Sequence, residues 1–463
     1  MILRTASRGC RGVVLAGALA GGLAAWSPVA AQAETLAEAL AMAYMSNPTL
    51  LARRAQLRAT DEGVPQALSG WRPRVTVSAS VGRQDIESES TSGVRTDQKR
   101  NPLTGAVQAT QSIYQGGRTT AQIRTAEENV QAQRALLVST EQSVLLDAAT
   151  SFVDTLRDEA VLELNVNNEQ RLLRQHDATL NRFKVGELTR TDVAQSESRL
   201  AQAGAARHAA EGQLAITRAA YRRVIGQLPG RLSEPKPYRM PRSRNDVLNT
   251  AGQANPNVLA AIFTERAARS DVRSIQGELL PDVSVVGSYQ RSQESSTGVK
   301  RQDVTGVTAQ VTVPLYEAGS VTSRVRQARQ TASQRLTQVE EARRSAIEQA
   351  ARAFESLQTA RARTEALLQQ VRAAEIALDG VQQEQLVGTR TVLDVLDAEQ
   401  ELLNAQVELV RSRREEQVGS YQLLVAVGRF TAGDLGLPVQ LYDYEAHYRE
   451  VRGKWWGTTS SFD

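Results

Sequence analysis

The sequence predicts a mainly α-helical fold in which one structural unit is used twice. Each copy carries a β-hairpin, then a very long helix and a returning helix. Three observations carry this prediction: the chain repeats itself, its residue alternation has period two in two short regions, and two long stretches lack proline.

The repetition is visible residue by residue. Asn47-Pro48 recurs as Asn255-Pro256, Pro73 as Pro281, and Val75 and Val77 as Val283 and Val285, all at a shift of 208. Further on, Tyr114, Gly117, Arg124, Phe152, Gly186, Asp192, Glu197 and Gly226 recur as Tyr316, Gly319, Arg326, Phe354, Gly388, Asp394, Glu399 and Gly428 at a shift of 202. The change of shift falls between Gly82 and Thr104, a polar stretch that reads as a surface loop, where insertions are tolerated. The boundaries expected are 1–33 for a signal peptide, 34–230 and 231–433 for the two repeats, and 434–463 for a tail.

Each repeat opens with a short helix, around Leu36–Ser46 and Asp246–Asn255, which stops at Asn-Pro because a residue before proline avoids the helical region. A second helix follows, to about Ser69 and Glu278. After Pro73 the pattern changes: Val75, Val77, Ala79 and Val81 alternate with Thr76, Ser78 and Ser80. Alternation returns in Ala106–Tyr114 and in Thr305–Leu315, so hairpins are expected at about 74–114 and 282–315. Proline-free runs then predict long helices at about 118–185 and 320–387. At about 67 residues each, they would be roughly 100 Å long. Return helices are expected at about 189–226 and 391–428.

Composition agrees with long helices bearing narrow apolar faces: aromatic residues are only 4% of the chain. Arg4, Arg8 and Arg11, an apolar stretch from Val13 to Ala25, and Ala31-Gln32-Ala33 read as a removable secretory signal. Its removal takes the single cysteine, Cys10, and lowers the formal charge from +4 to +1, which gives no reason to expect a nucleic-acid partner.

The alternating strands suit either a half-exposed sheet or a membrane barrel. Two hairpins give four strands, and a barrel with an open lumen needs more than about eight, so a barrel reading requires further copies of the chain. Three copies would give twelve strands, although this count alone does not fix the number at three.

The segment Val387-Gly388-Thr389-Arg390-Thr391-Val392-Leu393-Asp394-Val395-Leu396-Asp397-Ala398 resembles the tip motif of TolC-family outer-membrane channels. Val185-Gly186 with Thr191-Asp192-Val193 resembles its partner in the first repeat. The joints Tyr114-Gln115-Gly116-Gly117 and Tyr316-Glu317-Ala318-Gly319 are similar to that family as well. The resemblance implies a homotrimer with a twelve-stranded barrel in the outer membrane and an α-helical tunnel in the periplasm. Such a duct joins a periplasmic adaptor and an inner-membrane ABC or proton-driven pump for type I protein secretion or multidrug efflux. It is no enzyme and carries no cofactor.

The tip is the expected site. Gly186 and Gly388 should end their helices at positive φ. Thr189 with Asp192, and Thr391 with Asp394, have the spacing of capped helix starts. Asp394 and Asp397 share a helix face, and threefold symmetry would place six carboxylates in one constriction that favours cations. Arg390 could pair with Asp394 on its own helix. The resemblance implies instead that it reaches Thr191 and Asp192 of the neighbouring helix pair, as part of a latch that keeps the tunnel end shut, with Gln385 at a position where the family carries an aromatic residue. His176, His208 and His447 read as isolated, the first two as solvated face residues. A passive porin would carry more strands and little helix, a secreted coiled-coil adhesin would show sustained heptads and no hairpins, and a periplasmic enzyme would need a catalytic constellation that the sequence lacks.

Overall fold

The computed structural model describes residues 33–238, 240, 243–296 and 298–460, so the expected signal lies, except for Ala33, outside the described residues. The first repeat opens with α1 (Leu36–Ser46), α2 (Pro48–Asp61) and α3 (Gly63–Leu68), and ends in α4 (Arg118–Lys184) and α5 (Arg190–Ile225). The second opens with α6 (Arg244–Ala254) and α7 (Pro256–Gln276), and ends in α8 (Ser320–Leu386) and α9 (Val392–Ala426). A last short helix, α10, spans Ala446–Arg452 in the tail. Both long helices have 67 residues, about 100 Å at 1.5 Å per residue.

Asn47 and Asn255 do the same work in the two repeats. Each is extended (ψ 122° and 128°) because proline follows, and each Oδ1 accepts the N–H two residues on, at 2.9 Å. Their Nδ2 groups donate to the last turns of the return helices, Asn47 to Val224 O (3.0 Å) and Asn255 to Ala426 O (3.2 Å). The repeated asparagine thus fixes where each short helix meets its return helix.

Between the helices lie β1 (Arg74–Val81), β2 (Gln84–Glu89), β3 (Arg95–Arg100), β4 (Leu103–Gln115), β5 (Asp282–Ser296) and β6 (Val299–Thr312). Four of them form one antiparallel sheet in the order β1-β4-β5-β6, with a bulge between Ser112 and Tyr114. Pairing puts Val75, Val77, Val81, Val107, Val283, Val307 and Val311 on one face, and Thr76, Ser78, Gln108, Ser288 and Thr308 on the other.

Two expectations need correction. The polar stretch between Gly82 and Thr104 is not a loop: β2 and β3 pair as a ribbon that continues the first hairpin. Its turn is closed by Ser90 N–H donating to Val94 O (2.9 Å), and oppositely charged residues face each other at Asp85–Lys99 and Glu89–Arg95. Such a ribbon buries no face, so no apolar alternation announces it. Likewise β6 stops at Thr312, short of Leu315, because its partner β5 begins at Asp282, opposite Thr312, and Pro314 offers no N–H.

The largest apolar core sits midway, where α1, α2, α4, α5, α9 and the tail meet, and buries Leu40, Leu50, Phe152, Tyr221, Tyr421 and Phe430. The tail is part of this packing. His447 is buried and its Nδ1 lies 3.1 Å from the buried Asp61 carboxylate, so it is not isolated. His176 is half-buried and bonded to Ser196 (2.9 Å), whereas His208 is exposed and lies 3.0 Å from Glu211. No described helix is long and apolar enough to cross a membrane, which leaves the sheet as the element to consider.

Candidate functional site at the helix tips

The far ends of the two helical hairpins are built alike. α4 and α8 each run to a valine, then turn through Gly186 (φ +84°) and Gly388 (φ +83°). Nothing crowds either glycine, so the positive φ alone calls for the missing side chain. Glu187 N–H donates to Arg182 O and Thr389 N–H to Glu384 O, both at 3.0 Å, closing the helix ends.

The return helices start in capping boxes. Asp192 Oδ2 accepts from Thr189 N–H (2.9 Å) and its hydroxyl (2.8 Å); Asp394 Oδ2 accepts from Thr391 N–H and its hydroxyl (both 2.8 Å). The Thr391 backbone N–H, then its hydroxyl and the nearby Arg390, hold the Asp394 carboxyl below the usual aspartate range. Asp394 therefore stays ionised at the tip.

The remaining charges pair within the chain. Within one chain Arg390 does not touch Thr191 or Asp192; its Nε donates to Glu384 Oε2 (2.9 Å), on the last turn of its own long helix. Glu384 is six residues away, well within reach of a flexible arginine, and the pair closes locally. Asp397 instead receives Arg199, a residue of α5, so this ion pair ties the two return helices of one chain together. Arg199 was not legible from the repeat, since its counterpart in the second repeat is Glu401 and Asp397 replaces Gln195.

Beneath these surface pairs the tips have thin apolar seams: Leu172, Ala203, Val392 and Leu396 in one, Leu378, Val395 and Leu402 in the other. Glu399 is buried beside them. Desolvation pushes its carboxyl above the usual glutamate range, only partly opposed by Arg171. Further along the hairpins an open groove of about 700 Å³ is lined by apolar and charged side chains, among them Val161, Leu403, Arg157, Asp158 and Arg414. Among the described residues no group of three or more His, Cys, Asp or Glu side chains could hold a metal ion.

Comparison with known proteins agrees with this architecture. The family model described as outer membrane efflux protein matches twice, over residues 39–227 and 247–429. The outer membrane efflux protein BepC of Brucella suis biovar 1 (strain 1330) is 33% identical over 455 residues, 98% of each chain. The outer membrane protein TolC of Escherichia coli (strain K12) is 27% identical over 424 residues, 87% of this chain and 84% of that protein. Among solved structures, the CmeC outer membrane channel of Campylobacter jejuni superimposes with a TM-score of 0.77 at 14% identity, covering 91% of this chain and 89% of that one. The duplicated helical hairpins, the four-stranded sheet between them and these matches place the chain in the outer membrane efflux protein family, the TolC-type channels of the outer membrane.

Proposed function

We propose that three copies of the chain close a twelve-stranded barrel and form an exit duct. A periplasmic adaptor and an inner-membrane pump dock with it to export substrate, and the helix tips gate its entrance. The observation that carries this reading is the sheet itself. Its outer strands, β1 and β6, are unpaired on one side among the described residues, and its apolar face exposes Val75 (63%), Val77 (76%) and Val307 (79%).

The internal repeat supplies the template for closure. Within the chain β4 pairs with β5, and applying the two repeat shifts maps this pairing onto β6 and the β1 of a neighbouring copy. Ala109 opposite Gly287 becomes Val311 opposite Ala79, and Val107 opposite Tyr289 becomes Ala309 opposite Val81. Gln115 opposite Asp282 becomes Glu317 opposite Arg74, an ion pair between copies. The described chain without its signal has no cysteine, so the register is directly testable. The double variant Val311→Cys/Ala79→Cys should form disulfide-linked oligomers, because directly opposed residues lie about 5 Å apart. Val311→Cys/Val77→Cys, two residues out of register, should not. A protein that stays monomeric in mild detergent, with neither pair linked, rules out the closed assembly.

At the entrance, three chains would bring the Asp394 and Asp397 carboxylates together in one ring, Asp397 being paired with Arg199 within each chain. Such a ring favours cations. The Arg199–Asp397 pair holds the two return helices of one chain together. Arg199→Ala should raise single-channel conductance in planar bilayers more than Arg390→Ala does, the pair being worth up to about 1 kcal/mol per chain. Equal or unchanged conductance in the two variants removes Arg199 from the gate. Asp394→Ala with Asp397→Ala should lower cation preference. Docking proteins that favour the splayed tip would open it by their difference in affinity for the two states. The substrate, protein or drug, is set by the pump.

A further inference from the structure

The sequence holds four tryptophans; Trp26 lies in the expected signal, and the tail pair Trp455 and Trp456 comes to the same level of the fold as the distant Trp71. Trp71 ends the turn that leads into β1. Trp455 is stacked on Arg72, whose Cζ is 4.8 Å from the indole centroid, and Arg72 Nη1 also donates to Lys454 O (2.7 Å). Trp456 follows directly. The tail is thereby brought to within two residues of the start of the sheet at Arg74, roughly 7 Å along an extended chain.

All three indoles are open: Trp71 is 42% exposed, Trp455 59% and Trp456 86%. Two tyrosines join them. Tyr114 pairs with Val283 and so shares the apolar face of the sheet at its lower end, and Tyr316 is its repeat counterpart, 88% exposed. Gln111, at the same end of β4, donates to Trp71 O (3.0 Å) and holds that turn against the sheet. Above this level the apolar face carries valines; below it the long helices begin. Exposed indoles beside arginine and lysine are poorly suited to bulk water. They are well suited to a membrane–water boundary, where the ring meets lipid and the N–H and the cations meet headgroups.

We propose that Trp455 and Trp456 seat the C-terminal tail in the headgroup layer of the periplasmic leaflet of the outer membrane, with phospholipid as their partner. Trp71, Tyr114 and Tyr316 complete the same girdle. The tail then anchors the equatorial packing to the bilayer, since α10 ties it to α2 through His447 and Asp61. This inference rests on the sheet lying in the outer membrane, and its test separates the two.

The full chain without its signal is reconstituted in phosphatidylcholine vesicles that carry bromine either just below the headgroups or at the acyl-chain ends, and tryptophan emission is recorded. Trp71→Phe reports only the tail pair, and Trp455→Phe/Trp456→Phe reports only Trp71. Subtracting the latter spectrum from that of the unaltered protein gives the tail pair a second time, without the Trp71 change. The expected result is loss of tail-pair emission with shallow bromine and a smaller loss with deep bromine. Loss for Trp71 with none for the tail pair overturns the proposal while leaving the barrel in the membrane. No loss for any of the three overturns both, and stronger loss with deep bromine places the indoles in the hydrocarbon and likewise overturns it.

Discussion

The equator and the tips of the molecule use the same long helices for opposite purposes. At the equator, helices from both repeats and the tail enclose large side chains: Phe152 and Tyr221 meet at 6.4 Å between ring centroids, and Tyr421 and Phe430 at 5.6 Å, with Phe152, Tyr221 and Phe430 fully buried. At the tips, each apolar seam buries only a few leucines, valines or alanines, flanked by exposed ion pairs and capping bonds. Burial of apolar area sets most of the free energy, so the equator is the fixed hub and the tips are the end that can separate at low cost. A gate belongs where the packing is thinnest.

Substitutions can break this contrast or sharpen it. The largest effect is expected at the hub. Phe152→Ala should destabilise the fold by about 3–5 kcal/mol, and thermal melting of the purified protein should show it as a large drop in Tm, with conductance of the surviving channels unchanged. Leu396 is as deeply buried but lies in a tip seam. Leu396→Ala should cost about 2–3 kcal/mol, and much of it should appear as more frequent channel opening. Equal losses of Tm for the two variants, with no change in gating, would contradict the division of labour.

The smallest effect is expected at Glu399, and it depends on pH. Its carboxyl is held above the usual range by burial, so the ionised form opposes the closed packing. The stability it lends is complete below the ordinary glutamate value of 4.5 and is lost as pH rises through the raised value. Glu399→Gln should therefore stabilise the tip at neutral pH and change little in acid. A melting curve measured against pH checks this; the same difference at every pH would show that ionisation is not involved.

Much of the molecule was legible residue by residue. The Asn-Pro stops, the alternating valines and the glycine turns each express a local rule, and each lies where its rule puts it: Asn47 and Asn255 extended, Val75 and Val77 on one face, Gly186 and Gly388 left-handed. The capping boxes at Thr189 and Thr391 were legible for the same reason, since three residues of one chain segment are enough to form them.

What could not be read were the meetings of distant segments. Arg390 satisfies itself on nearby Glu384, while Asp397 is claimed by Arg199, 198 residues earlier, and the order of charges along the chain ranks neither above the other. The polar ribbon of β2 and β3 pairs backbone to backbone without burying a face, so it leaves no hydrophobic period. The tail carries no repeat at all, yet it brings His447 to Asp61 and Trp455 to Arg72. By itself the sequence determined the periodic elements and their duplication, because propensity, capping and side-chain alternation act within a few residues. Only the tertiary structure decided which charges pair and where the tail lies, because those choices depend on distances set by the packing of the whole chain.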